Sequence, residues 1–235
     1  MTRLVGATRV PGDKSIAHRA LILAGMAGSD STIAGLPDGL DVLSTRRCLE
    51  QVGVVFEGGV RVVRVKPPRE WRPGHVLDAG NSGTTARLMA GALAARRCSA
   101  AVTGDASLLR RPMDRIASPL RALGAAVETT QGRLPLHVRG VGLQPGRFEA
   151  TVPSAQVKSA FLLGALGAPG ESSYFEPWAT RDHLERMLPS FGVPLRSDAQ
   201  GLHVSGGRPR GARVSVPGDP SSAAALLVAA AMLPG

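Results

Sequence analysis

The chain has 235 residues, 43% hydrophobic and 20% charged, with a formal net charge of +10; that balance excludes a disordered tail and describes a folded protein with a real core. Aromatic residues make up only 3%, so small aliphatic side chains are expected to fill the interior. The positive excess comes almost wholly from scattered arginine, with lysine only at Lys14, Lys66 and Lys158; without basic blocks interleaved with stacking aromatics, small anionic ligands fit it better than nucleic acid.

The opening "MTRLVGATRVPGDKS" has no apolar signal core. A small-residue apolar stretch follows, "KSIAHRALILAGMAG" from Lys14, and reads as a helix buried on every side. After a short strand, "DVLSTRRCLEQVG" sets Val42, Leu43, Cys48, Leu49 and Val52 at helical spacing until Gly53 stops it, and two β-rich runs then flank the glycines at 58 and 59. The same order recurs from "NSGTTARLMAGALAA", where Pro112 suits a first helical turn, "MDRIASPLRALG" is amphipathic to Gly124, and a hairpin turns at 130–132. It recurs again from "SAQVKSAFLLGALGA", with "TRDHLERMLPSFG" as the amphipathic helix to Gly192 and a turn at 198–201. The closing glycines are 71 and 68 residues apart, and Ser15, Ser82 and Ser154 are 67 and 72 apart. Two independent markers agree on one period, so the chain is expected to be a repeat architecture. The fold expected is an inside-out α/β barrel: three pseudo-symmetric repeats with buried small-residue helices and outer sheets.

A fourth unit begins at "VPGDPSSAAALLVAAAMLPG", echoing "VPGDKSIAHRALILAGMAG" from Val10, and the sequence stops within it. Residues 1–12 and 217–235 are therefore assigned to a second domain, as its leading segment and its truncated start, and residues 13–216 to the three-repeat domain. The apolar run from Ala223 to Leu233 is shorter than the roughly 20 residues that span a bilayer, so no membrane partner and a cytoplasmic location are expected. As an uncovered segment, Ser221 to Leu233 should promote self-association.

Polar residues sit where the buried helices begin: Lys14, Ser15 and Arg19; Asn81, Ser82, Gly83 and Thr84; Ser154, Gln156 and Lys158. A helix start presents unpaired N–H groups and a partial positive charge, which makes it an anion site. Any one start alone is an ordinary capped helix; three together argue for a shared site. Arg110 and Arg111, ahead of the second amphipathic helix, suit a carboxylate or phosphate as well as they suit solvent. "TRDH" from Thr180 opens the third amphipathic helix and, alone, is an ordinary cap. Cys48 and Cys98 are read as reduced, buried thiols. His18, His75, His137, His183 and His203 show no metal-ligand spacing, and no nucleophile elbow, Walker A or dinucleotide motif occurs.

Taken together, "PGDKSIAHRALILA", "GNSGTTARL", "RRPM" and "VPSAQVKSA" resemble the motifs of the enolpyruvyl transferase family, in the branch that acts on shikimate 3-phosphate; the resemblance runs over essentially the whole chain. It implies two similar three-repeat domains with a cleft between them. It also implies the reaction: phosphoenolpyruvate and shikimate 3-phosphate give 5-enolpyruvylshikimate 3-phosphate and phosphate through a tetrahedral adduct. This is a shikimate-pathway step toward aromatic amino acids, and no metal or organic cofactor is implied. By motif, Lys14 would contact both substrates and act catalytically. Ser15, Arg19, Ser154, Ala155, Gln156 and Arg181 would hold shikimate 3-phosphate, and Gly83, Arg111 and Gln156 would line the phosphoenolpyruvate pocket with Lys14. The family's acidic catalytic residues belong to the second domain, so this chain alone is expected to bind without turning over. Ala155 stands where many relatives have serine, which removes one hydroxyl contact. Gly83 matches the common glycine, so the completed enzyme should admit the herbicide glyphosate, a mimic of phosphoenolpyruvate; unchanged activity in its presence would contradict that.

Two other readings compete. The sister branch acting on UDP-N-acetylglucosamine resembles this pattern but has asparagine after the opening lysine and usually a cysteine in the arginine loop; here Ser15 follows Lys14, and 106–111 contains no cysteine. A non-catalytic anion-binding half-module remains the third reading, because every polar residue singled out is a binding residue rather than a clear general base.

Overall fold

A computed structural model describes residues 6–59 and 61–232; the first five residues of the leading segment and Leu233 of the apolar end lie outside the described residues. In chain order the elements are α1 (Lys14–Met26), β1 (Ser31–Ala34), α2 (Leu40–Gln51), β2 (Val55–Gly58), β3 (Val62–Lys66), β4 (Val76–Asp78), α3 (Gly83–Ala95), β5 (Ala100–Thr103), α4 (Ala106–Leu109), α5 (Asp114–Arg121), β6 (Ala126–Thr130) and β7 (Arg133–Arg139). They continue as β8 (Arg147–Glu149), α6 (Ala155–Ala165), β9 (Glu171–Phe175), α7 (His183–Met187), β10 (Leu195–Asp198), β11 (Gly201–Ser205), β12 (Arg213–Ser215) and α8 (Pro220–Met232).

Three four-stranded sheets share one plan, in the orders β12-β1-β3-β2, β4-β5-β7-β6 and β8-β9-β11-β10. In each, a three-residue edge strand lies parallel to the strand after the buried helix, which pairs antiparallel with a hairpin. The edge strand is the one element per repeat that the sequence reading lacks, since three residues are too few to show a period of two. For the first repeat that strand is β12, from the far end of the domain, so the three units close into a ring. The sheets bury alternate residues, as in β7, while α1, α3 and α6 are buried nearly throughout. Helices inside and sheets outside make the expected inside-out α/β barrel.

Small residues permit this centre. A Cβ added to Gly91 of α3 would collide with the Ala160 carbonyl of α6, and neither backbone can swing aside as a side-chain tip would. Gly91→Ala should therefore destabilise the fold by about 1–3 kcal/mol, outweighing the roughly 1 kcal/mol gained in helix propensity. Gly207→Ala, with nothing within 4 Å of the new atom, should stay within about 0.5 kcal/mol of the parent in urea unfolding. Equal midpoints for the two would contradict the close crossing. The few aromatics gather in the third unit, where Phe148, Phe161 and Tyr174 pack at centroid distances of 5.5–6.2 Å.

Local details depart from the sequence reading. The caps of the three buried helices are Asp13, Ser82 and Ser154, each accepting from an N–H in the first turn; Ser15, aligned with the other two serines by sequence, lies inside the first turn. Pro112 precedes the cap residue Met113 instead of joining the first turn of α5, and the short helix α4 comes before it. The third amphipathic helix is only α7, continued by a 3-10 turn over Leu188–Phe191, because Pro189 has no N–H for an α-helical bond. The two "VPGD" segments lie side by side: the Asp13 N–H donates to the Pro217 carbonyl (2.7 Å) and the Asp219 N–H to the Pro11 carbonyl (2.8 Å). Beyond them α8 has no buried residue, and Leu226, Leu227 and Val228 are exposed.

Candidate functional site

The buried helices begin at one end of the barrel, and side-chain bonds between their first turns show it. Arg19 of α1 is 1% exposed. Its Nη1 donates to the Ser15 carbonyl (2.9 Å) and hydroxyl (3.2 Å), and its Nη2 donates to the Ala155 carbonyl (3.3 Å) and Ser159 Oγ (2.8 Å) on α6. From α6, Gln156 Nε2 donates to Thr84 Oγ1 of α3 (2.9 Å), while Gln156 Oε1 accepts from Arg87 Nη1 (2.7 Å). Between α3 and α1 stands Asp41 of α2, whose carbonyl oxygen lies 3.2 Å from Thr85 Oγ1 and whose carboxylate meets Lys14 Nζ at 2.9 Å.

Charge at this end is positive and poorly compensated. Among the described residues every hydrogen bond of the Arg19 guanidinium goes to a neutral oxygen. Burial is the main force pushing its pKa down to about 10, with Glu185 opposing that fall and Arg181 adding to it. Arg87, 5% exposed, is likewise brought to about 10 by burial and by the charges of Arg115 and Arg111, and among the described residues its Nε has no partner. Arg111 Nη2 donates to Asn81 Oδ1 (3.0 Å), and Asn81 Nδ2 donates in turn to Asp105 (2.6 Å). Guanidiniums bonded to amides and carbonyls keep their full charge for a ligand; a bound dianion would relieve the cost of burying them.

Gly83 opens α3 between these arginines. A Cβ there would come within 2.7 Å of Arg87 Nη1 and 3.1 Å of Arg111 Nη1, so glycine lets both guanidiniums close on the helix start. Lys14 is half exposed, and it borders a cleft of about 840 Å³ that Arg9, Asp38, Arg61 and Asp219 also line. An exposed ion pair is worth only about 0–1 kcal/mol, so Asp41 parks the ammonium without locking it.

Of the residues expected from the sequence, Ser15, Arg19, Ala155 and Gln156 form one linked group with Ser154 as the cap of α6, and Gly83 and Arg111 adjoin it through Arg87. Arg181 stands exposed on the turn before α7, near enough for its charge to act on Arg19. Lys158 departs from the sequence reading: its ammonium does not join the shared anion site expected at the helix starts but lies buried between Glu176 and Glu185. Arg87, Ser159 and Asp41 were not foreseen. Arg87 lies within the quoted "GNSGTTARL" and, like Arg19, is a charge inside an apolar helix, which was the available signal. Among the described residues no group of His, Cys, Asp and Glu could hold a metal ion, and no helix is long and apolar enough to cross a membrane.

Behind the floor, His18 Nδ1 meets Thr45 Oγ1 at 2.6 Å, Thr45 meets Thr85 at 2.7 Å, and Thr85 donates to Ser82 Oγ (2.8 Å). Burial pushes the His18 pKa down from 6.5 to about 3, against the opposing pull of Asp41. A depressed histidine favours folding above pH 6.5, where both states are neutral, and loses that contribution as pH falls toward 3, because only the unfolded chain then takes up the proton. Stability should fall across that window by up to about 1.4 kcal/mol per pH unit from this group. His18→Asn should show a visibly shallower acid slope in urea unfolding; parallel slopes would contradict the assignment.

The family described as EPSP synthase (3-phosphoshikimate 1-carboxyvinyltransferase) matches residues 1–235. A 3-phosphoshikimate 1-carboxyvinyltransferase of Anaeromyxobacter sp. (strain Fw109-5) is 49% identical over 235 residues, covering 99% of this chain and 55% of that protein. One from Rhodospirillum rubrum is 48% identical over 249 residues, with 99% and 55% covered. The solved EPSP synthase of Acinetobacter baumannii superimposes with a TM-score of 0.88 at 39% identity, covering 98% of this chain and 54% of that one. The chain thus spans about half the length of the curated relatives it matches.

Proposed function

Because this chain belongs to the EPSP synthase family, we propose that it builds the shikimate 3-phosphate-binding half of an enzyme that transfers enolpyruvate from phosphoenolpyruvate to the 5-hydroxyl of that substrate, releasing phosphate. One observation carries the reading: the starts of α1, α3 and α6 are tied together around Gln156 and the guanidiniums of Arg19 and Arg87, whose direct hydrogen bonds among the described residues go to neutral partners. Ser15, Arg19, Ser154, Ala155, Gln156 and Arg181 are assigned to shikimate 3-phosphate. Gly83, Arg111 and Gln156, joined by Arg87, are assigned to phosphoenolpyruvate, and Lys14 reaches both as the catalytic cation. Residues 13–216 form this half; 1–12 and 217–235 belong to a second half, which the greater length of the relatives supports.

The chemistry suits such a floor. Charge shifts onto a carbon flanked by carboxylate and phosphate, and fixed cations and N–H groups stabilise it without reorganising. Residues of this half bind and orient; closure against the second half would exclude water and bring the 5-hydroxyl to the enol carbon. The location proposed is cytoplasmic. The experiment is an assay of phosphate release from the two substrates, with the chain alone and with it joined to the second half of a relative. Activity only in the joined form supports the reading. Binding of shikimate 3-phosphate without activity in the joined form would favour a non-catalytic module, and transfer to UDP-N-acetylglucosamine would favour the sister branch.

A further inference from the structure

The Lys158 ammonium, one turn into α6 and 3% exposed, lies 2.6 Å from both Glu176 and Glu185. Those carboxylates bracket a single loop. Glu176 directly follows β9, Glu185 lies in α7, and the intervening chain carries Arg181. Thr180, next to Arg181, donates its hydroxyl to both oxygens of Glu176 (2.8 and 3.0 Å). One ammonium therefore fastens both ends of the Arg181 loop to the helix whose first turn supplies Ser154, Ala155 and Gln156. Glu185 is also close enough to Arg19 for its charge to favour the protonated guanidinium, while Arg181 opposes it.

Stability alone is a poor reason for such a cluster, because well-packed apolar replacements of buried ion groups are often neutral or stabilising. Placement of a charged side chain is a better one, since the position of a guanidinium relative to a phosphate decides the strength of a bidentate contact. Resting on the assignment of Arg181 to shikimate 3-phosphate, we propose that Lys158, Glu176 and Glu185 are a positioning triad that holds the Arg181 loop over the phosphate seat formed by Ser15 and Arg19. The triad touches no substrate and acts only through Arg181.

The test is a calorimetric titration of the 235-residue chain with shikimate 3-phosphate, comparing the parent, Arg181→Ala, Glu176→Gln and the double variant. Glu176→Gln is nearly isosteric and leaves Lys158 paired with Glu185, and thermal melting establishes that each variant is folded. Arg181→Ala should weaken binding about tenfold, Glu176→Gln should weaken it about three- to tenfold, and the double variant should bind no more weakly than Arg181→Ala. Thr180→Val, which cuts the loop's bond to Glu176, should show the same coupling and serves if Glu176→Gln does not fold. Multiplying effects in the double variant, or unchanged affinity in Glu176→Gln, would overturn the triad's role while leaving Arg181 in place. Unchanged affinity in Arg181→Ala would instead overturn the assignment of Arg181 itself, and the triad's role with it.

Discussion

Arg19→Lys is expected to weaken shikimate 3-phosphate binding by about 10- to 100-fold. The guanidinium spans two helices, bonding the Ser15 carbonyl on α1 and the Ala155 carbonyl and Ser159 on α6. An ammonium is a point donor and cannot hold both sets of oxygens in one plane. Lysine keeps the charge but frees the two helix starts to separate, so the loss measures geometry rather than net charge. Calorimetry on the chain gives the ratio directly. Affinity within about twofold of the parent, well under the 1.4 kcal/mol that marks a tenfold change, would show that Arg19 is a structural tie with no part in the phosphate seat.

Lys14→Ala, in the chain joined to the second half its relatives carry, should lower kcat by about 100-fold or more. The ammonium is half exposed at the start of α1 and, among the described residues, pairs with Asp41, so its release toward an incoming dianion costs little. In the proposed site many other donors would hold the substrate, and the loss should therefore fall more on kcat than on KM. Lys66→Ala is the control. Lys66 pairs with Glu57 across the β2–β3 hairpin, exposed to solvent, and its removal should leave kcat essentially unchanged. Equal losses from the two variants would remove Lys14 from the catalytic role.

The repeat was legible because each unit repeats both its composition and its punctuation. Alanine and glycine mark the buried helices, and Gly53, Gly124 and Gly192 close the amphipathic ones. Convergence of the helix starts follows from the symmetry of the repeat, and Arg19, Gln156 and Gly83 stand out in the sequence because each sits at the start of a buried helix. What was not legible lay in partners far apart in sequence. Nothing near 213–215 signals a strand that pairs with 32–34. Lys158 sits in register with the other helix-start residues, yet acids at 176 and 185 claim it. Arg87 takes its place only because α6 brings Gln156 against it, 69 residues away in sequence. For the two helical charges local periodicity sets the element and tertiary contact decides what the side chain does; for the edge strand tertiary contact sets the element as well.

The central claim, that three helix starts form one seat for a phosphorylated acid, is tested most directly by following backbone amide resonances of the chain as shikimate 3-phosphate is added. The account predicts concerted shifts, with one dissociation constant, at the first turns of α1, α3 and α6, around Ser15, Gly83 and Gln156, and none at their far ends. Shifts confined to a single helix, or spread over the arginine-rich surface without saturation, would contradict it.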